Sequence, residues 1–387
     1  MQYNFDEKID RYTGLSRKWL KYPNKDVIPL WIADMDFKTA PEITDAMQQA
    51  LNHGVFGYDS LQRLVTENLI EYFKANYNWH TNFQEYLFTP GLVAGINLAC
   101  RALTAPDESI LTATPIYPPF MSAPKYANRN LVTLPLIQQD DNWVWDFVKL
   151  EELLADSKLN IKLLLLCNPH NPVGRMWSHD ELIKLHALAK KFDLWVCSDE
   201  IHCELILQNG AKHIPFASLN DDANMRTFTL MAQSKTYNLA GLDCAYSIAA
   251  NPEIRKRVQA ITTGLFFSPN VFGLTATNTA ILQGEAWRLQ LLDYLRANRD
   301  LVYEAINQLD GFKMILPEAT YLAWIDGREF AEKHNIPNLY KFFEQNGVGL
   351  SDGSDFAAEG FVRLNCATTR EILLEALERI KATVSKY

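Results

Sequence analysis

The stretch AQSKTYNLAGLD, residues 232–243, sets Lys235 between two hydroxyl residues, Ser234 and Thr236, just past an apolar run. Most lysines are solvated surface charges. Two other apolar runs end on side chains of complementary type: Asn168 and Asn171 follow IKLLLLC (161–167), and Asp199 and Glu200 follow LWVCS (194–198). An amine, a carboxylate and an amide brought to one crevice could capture a carbonyl covalently, keep a heterocyclic nitrogen protonated and donate to a ring oxygen.

The elements that must position these groups are legible from periodicity. IKLLLLC is a continuous apolar run, the pattern of a strand buried on both faces. A turn-rich NPHNPVGR follows, and then Ser178 and Glu181 stand in capping-box relation before Leu182, Leu185 and Leu188 at helical spacing. LWVCS and TFTLMAQ (227–233) are further strands separated by crossover lengths, so the pattern is βαβ in an α/β domain with a parallel sheet. In open sheets of this kind ligands sit outside the carboxyl ends of the strands, which is where Asn171, Asp199, Ser234 and Lys235 fall. Upstream, LFTPGLVAGINLACRAL puts Gly91 just before a helix, whose free N–H groups attract phosphate. Beyond about residue 275 long helices surround short strand-like pieces at 320–325 and 361–366. The division expected is a large domain over 45–275 and a smaller α+β domain made of 1–44 and 276–387.

The chain's 387 residues, 48% hydrophobic and 21% charged, are ordinary globular usage. A formal net charge of −9 with no Lys or Arg run argues against nucleic acid or anionic membrane and for a small-molecule partner. The charged N-terminus has no apolar h-region and no segment approaches a membrane span, so a cytoplasmic protein is expected. Cys100, Cys167, Cys197, Cys203, Cys244 and Cys366 show no CxxC pairing and read as small core residues. His202 follows Asp199 by three, yet no third ligand sits at a recognisable spacing, and no metal is expected.

A cofactor bearing an aldehyde, a phosphate and a titratable ring nitrogen would use every group named so far, and pyridoxal 5′-phosphate (PLP) is that cofactor. SKTYNLAGL, SDEIHCEL, CNPHNPVGR and TPIYPPF together resemble the ordered motifs of the class I/II aminotransferase family of PLP enzymes. The resemblance spans nearly the whole chain and implies that family's fold, a mostly parallel central sheet flanked by helices plus the smaller α+β domain. WIADMDF (31–37) and SDEIH resemble more narrowly the cystathionine β-lyase branch, the C–S lyases. The resemblance implies Lys235 as the Schiff-base lysine, Asp199 as partner of the pyridine nitrogen, Asn171 on the phenolic oxygen and Tyr117 stacked on the ring. It implies phosphate binding by Gly91, Leu92, Val93 and Ser234, with Tyr58 reaching across from the neighbouring subunit of a homodimer. Arg363 would clamp the substrate α-carboxylate, with Ala33 and Asn171 beside it.

One residue departs from the pattern. Many relatives carry an arginine eight places after the lysine, where this chain has Asp243; by resemblance the lyase branch often lacks that arginine. The reaction implied is β-elimination from L-cystathionine or a related L-cysteine S-conjugate, yielding a thiol, pyruvate and ammonia, with the freed Lys235 amine taking the Cα proton. An aminotransferase shares the early steps and would return the proton to the cofactor, and relatives of this kind can also serve as regulators that bind other proteins.

Overall fold

In the computed structural model, which describes residues 2–58, 60–265 and 268–387, seven strands build the central sheet. They are β1 (Tyr86–Thr89), β2 (Ser109–Thr114), β3 (Asn130–Pro135), β4 (Ile161–Cys167), β5 (Trp195–Asp199), β6 (Thr227–Met231) and β7 (Ala245–Ile248). Their spatial order is β1-β7-β6-β5-β4-β2-β3, and β7 alone runs antiparallel to its neighbours. The expected mostly parallel sheet is therefore present. The run 227–233 yields a shorter strand than its apolar character suggests, because the chain turns after Met231 to carry Lys235 off the sheet end.

Both faces of the sheet are covered, which explains the uninterrupted apolar run of β4. Leu163, Leu165 and Cys167 pack on one face with the helices Leu92–Ala102 and Pro252–Thr262. Leu164 and Leu166 point the other way, onto Leu182, Leu185 and Ala189 of the helix His179–Lys191. That helix starts where the capping box requires: Ser178 Oγ accepts the Glu181 N–H at 3.3 Å, and Glu181 Oε2 accepts the Ser178 N–H at 2.9 Å. Glu181 also takes Arg175 Nη2 at 2.7 Å, while Arg175 Nε reaches Glu318 at 2.9 Å. The turn between β4 and its helix is so tied to the C-terminal half. Gly174 in this turn has φ +72°, and a Cβ there would lie 2.4 Å from the Pro317 side chain, so only glycine fits.

A four-stranded antiparallel sheet, Lys313–Met314, Leu322–Asp326, Phe361–Asn365 and Ser351–Asp352, carries the second body under the helices Glu285–Asn307 and Arg370–Val384. Its core includes Phe5, Ile28, Leu30, Met35 and Phe37, so the N-terminal segment packs with the C-terminal third. We propose the division 45–275 against 1–44 with 276–387, the helix Val271–Gln283 being shared between the two. All six cysteines are buried and free. Among the described residues no helix is long and apolar enough to cross a membrane.

The segment 31–37 lies between the two bodies as a strap. Asn238 holds it from the large side, accepting the Met35 N–H at 3.1 Å and donating to the carbonyls of Met35 and Phe37 at 3.1 and 2.9 Å. Asn365 holds it from the other, donating to the carbonyls of Ile32 and Asp34 at 2.6 and 2.8 Å. Beneath it a buried ion pair joins Lys18 to Asp36 at 2.7 Å, with the Trp19 indole N–H on the second carboxylate oxygen at 2.8 Å. Removing one member of a fully buried pair strands the other charge. Asp36→Ala is accordingly expected to lower stability by about 3–5 kcal/mol in urea unfolding, and the paired change Lys18→Met with Asp36→Leu to recover most of it.

Candidate active site

The carboxyl ends of three adjacent strands, β4, β5 and β6, open on one cavity of about 280 Å³. Asn171 follows β4, Asp199 closes β5 and faces Cys167 in register, and Ser234 and Lys235 lie in the turn after β6. Gly91, Leu92 and Val93 line the same cavity from the start of the helix Leu92–Ala102, Tyr117 from the loop after β2, Ala33 from the strap and Arg363 from the second body. Every site residue expected from the sequence converges there except Tyr58. Tyr58 is fully exposed and does not line the cavity of its own chain.

Three titratable groups define the electrostatics, Arg363 and Asp199 buried and Lys235 half-buried. Arg363, 5% exposed, rests on neutral acceptors: Nη1 donates to Asn171 Oδ1 at 2.9 Å, and Nη2 to the Trp31 carbonyl at 3.0 Å and Ser351 Oγ at 3.3 Å. Its Nε has no partner, and no carboxylate of the described residues pairs with it. Its face lies over the Phe356 ring at 4.6 Å. Burial lowers the guanidinium pKa to about 10. A dry cation held by neutral dipoles is a receptor for an anion.

Asp199, 4% exposed, takes the Ile201 N–H on Oδ1 at 3.1 Å, and burial pushes its pKa up to about 7. A cationic partner would return that carboxylate to its charged form. Lys235 donates from Nζ to the Ala33 carbonyl at 2.7 Å, and burial brings its pKa down to about 8, against the opposing pull of Asp34. An amine so tuned is nearer to a free base at neutral pH than a surface lysine is. Because Arg363 can only donate, Asn171 must present its oxygen there, which leaves the amide N–H groups for a ligand. Tyr117 is half-buried with its phenol pKa raised by burial.

The helix start completes the site. A Cβ on Gly91 would meet no atom of the chain within 4 Å, so packing does not demand the glycine. The open space beside unpaired helix N–H groups suits a phosphate. A group bearing an aldehyde, a basic ring nitrogen and a phosphate thus finds an amine, a buried carboxylate and a cradle in one cavity. Asp243, with φ +48°, caps the short turn Ala240–Leu242 and stands exposed on the rim. No cation of the described residues pairs with it; solvent is what screens it from an anion, and in water two charges about 4 Å apart interact by only about 1 kcal/mol.

Glu200, beside Asp199, proves structural: it accepts Ser198 Oγ at 2.7 Å, the Phe216 N–H at 3.0 Å and His213 Nε2 at 2.7 Å. His202 is buried against the edge of Tyr321, its pKa lowered to about 3, and so lines the cavity as a neutral ring. Among the described residues no group of three or more His, Cys, Asp or Glu could hold a metal ion. Sequence reasoning missed Asn238, Asn365 and Ser351, which hold the strap and the arginine. Asn238 lies one helical turn past Lys235 and Asn365 two residues past Arg363, and that proximity was the available signal.

Residues 25–380 match the family model for aminotransferase class I and II. The chain belongs to that family. It is 34% identical to cystathionine β-lyase PatB of Bacillus subtilis over 99% of this chain and all of the relative. Among solved structures it resembles OvoB at 42% identity and TM-score 0.95, each chain covered in full. It also resembles a PLP-bound C–S lyase of Staphylococcus hominis, at 32% identity and TM-score 0.91 over 99% of this chain and 98% of that one.

The buried carboxyl sets a sign for pH dependence. Folded Asp199 keeps its proton up to about pH 7, whereas the unfolded chain releases it near 3.8, so its contribution to stability is full below about pH 4 and is lost as pH rises toward 7. Asp199→Asn is expected to flatten that part of the urea-midpoint profile of the cofactor-free chain between pH 4 and 7. A slope unchanged by the substitution would contradict the burial argument.

Proposed function

We propose that the protein is a PLP-dependent C–S β-lyase that cleaves L-cystathionine or related L-cysteine S-conjugates to a thiol, pyruvate and ammonia, working in the cytoplasm as a homodimer. The observation that carries the reading is the convergence of Lys235, Asp199 and Arg363, none of them in an ion pair, on one cavity. Full-length likeness to a cystathionine β-lyase and a C–S lyase supports elimination over amino transfer. When bound, PLP supplies an aldehyde for an amine and a protonated ring that withdraws electrons from Cα.

The chain's own residues do the rest. Lys235 would hold the aldehyde through its amine, and its lowered pKa suits that amine, when free, to accept the Cα proton. Asp199 would hold the protonated ring nitrogen as its anionic partner, and the dry surroundings would strengthen that pair. Asn171 would donate to the ring oxygen, Tyr117 would pack against the ring, and the amides after Gly91 with Ser234 would hold the phosphate. Arg363 takes the substrate carboxylate in a two-pronged contact that fixes the Cα–H direction. Ala33 offers its carbonyl to the Lys235 amine and keeps the strap at the substrate's edge.

Tyr58 belongs to this scheme as the partner's contribution. It stands with Val55 and Phe56 on an exposed apolar loop, the kind of surface a second copy would cover. Sedimentation of the PLP-loaded protein is expected to give twice the chain mass, and Tyr58→Ala to weaken PLP retention on dialysis without breaking the dimer.

Incubation with PLP and L-cystathionine tests the reaction itself. Pyruvate and thiol without any added 2-oxo acid are expected; dependence on an acceptor would establish an aminotransferase, and neither product would leave a binding role. Lys235→Ala should abolish the visible absorbance of lysine-bound PLP and cut turnover by at least about 10²–10⁴-fold, the range for a positioned acid–base group, with the far-UV spectrum unchanged. A visible band in that variant that borohydride removes while fixing PLP covalently to the chain would assign the amine elsewhere.

A further inference from the structure

The strap 31–37 belongs to no sheet, yet the carbonyls of Trp31, Ile32, Ala33, Asp34, Met35 and Phe37 each accept a side-chain donor. Two of the six serve the site: Trp31 receives Arg363 Nη2 at 3.0 Å and Ala33 receives Lys235 Nζ at 2.7 Å. The other four are gripped by two asparagines. Asn365, fully buried, takes the residues on either side of Ala33: its Nδ2 donates to the carbonyls of Ile32 and Asp34 at 2.6 and 2.8 Å, and its Oδ1 accepts the Ala367 N–H at 2.8 Å. Asn238 takes Met35 and Phe37 in the same way, with its Oδ1 on the Met35 N–H. Each amide spends both N–H groups on the strap. Lys18 Nζ and Arg11 Nη1 add second donors to the Asp34 and Met35 carbonyls at 3.1 and 2.6 Å.

The Ala33 carbonyl is the one hydrogen-bond partner of the Lys235 amine among the described residues. The charged groups that face the amine are Asp34 of the strap, Arg363 of the small sheet and Asp199 at the end of β5, while His202 beside it is a neutral ring. A carbonyl at 2.7 Å favours the ammonium over the amine. When the amine is neutral, the same carbonyl takes one N–H and leaves the cavity as the place for the lone pair. One backbone oxygen thus sets both the ionisation and the direction of the base. That oxygen has no side chain to anchor it, and the hold on its two neighbours supplies the anchor.

We infer that Asn365 and Asn238 are positioning residues for the Lys235 amine, acting through the Ala33 carbonyl whose direction they fix. Neither bonds to the amine itself. Asn365 shares a strand and a face with Arg363, and Asn238 shares a turn with Lys235, so each body of the protein presents one cation and one asparagine to the strap. Loss of either amide lets the Ala33 carbonyl turn toward water and Asp34 recede with it. Both changes disfavour the ammonium, so the amine of a loosened strap is free at lower pH. A purely structural role predicts lost stability with the ionisation of Lys235 unmoved. The inference rests on Lys235 being the PLP-binding amine and deepens that reading.

The test follows the rate at which the cofactor-free chain captures PLP, read from the growth of the visible band across pH, in wild type, Asn365→Ala and Asn238→Gly. Glycine accepts the left-handed backbone at 238, φ +58°, so that variant removes the amide without strain. Glu181→Ala, which opens a helix cap that makes no bond to the strap, controls for lost stability. The wild-type rate is expected to rise with a midpoint near pH 8. In both asparagine variants the midpoint should fall by about one pH unit, the effect of one weakened charge-assisted hydrogen bond, and in the control it should stay. A midpoint that stays in a folded variant removes that asparagine from the assignment; one that stays in both, or falls equally in the control, overturns it. If Asn365→Ala does not fold, Asn238→Gly decides. Should Lys235→Ala capture PLP as fast as wild type, the reading of Lys235 as the PLP amine fails instead. The strap assignment is then decided by carbon-13 NMR titration of the reductively methylated Lys235 amine, where the same fall is required.

Discussion

The site depends on keeping charge dry without cancelling it. Arg363 is buried on an amide oxygen, a carbonyl and a hydroxyl, and Asp199 on a single backbone N–H, although each would be cheaper to bury beside an opposite charge. Had either been given an internal salt bridge, the cavity would be more stable and chemically mute. The shifted ionisations of Arg363, Asp199 and Lys235 share one first cause, removal from water, and record what the arrangement costs.

That cost is carried by neighbours that are fully satisfied. Glu200 is as buried as Asp199, but three donors surround it, and it holds the β5 end in place. Lys18 and Asp36 form the complete ion pair that the site itself lacks, directly under the strap. Arg175 spends its donors on Glu181, Glu318 and the Trp143 carbonyl, joining a helix cap to the second body. Rigid, saturated networks around unsaturated groups are how a protein holds reactive side chains where water would otherwise relax them. The strap 31–37 belongs to both regimes: its carbonyls at Trp31 and Ala33 serve Arg363 and Lys235, while Asn238 and Asn365 fix it from opposite sides.

Much of this was legible in the chain. IKLLLLC, LWVCS and the Ser178 capping box announced strand, strand and helix because both faces of the sheet are covered and the cap satisfies its own N–H groups locally. The strand ends then pointed to Asn171, Asp199 and Lys235. Asn238 and Asn365 offered only their nearness to Lys235 and Arg363 as a signal, and Ser351 none, because an amide or hydroxyl gains its meaning from a carbonyl some 200 to 330 residues away. Glu200 and Asp199 are adjacent acids that no local pattern tells apart; only their partners separate them.

The order of residues by itself determined the alternation of strands and helices and the family motifs that accompany it, since periodicity and capping act over a few residues and need no distant partner. Only the tertiary structure decided which charges go unpaired, which acid is structural, that the N-terminal strap closes the site beside a lysine some two hundred positions later, and that Tyr58 stands outside its own cavity. Those outcomes depend on desolvation and on contacts between segments far apart in sequence, and both exist only once the chain is packed.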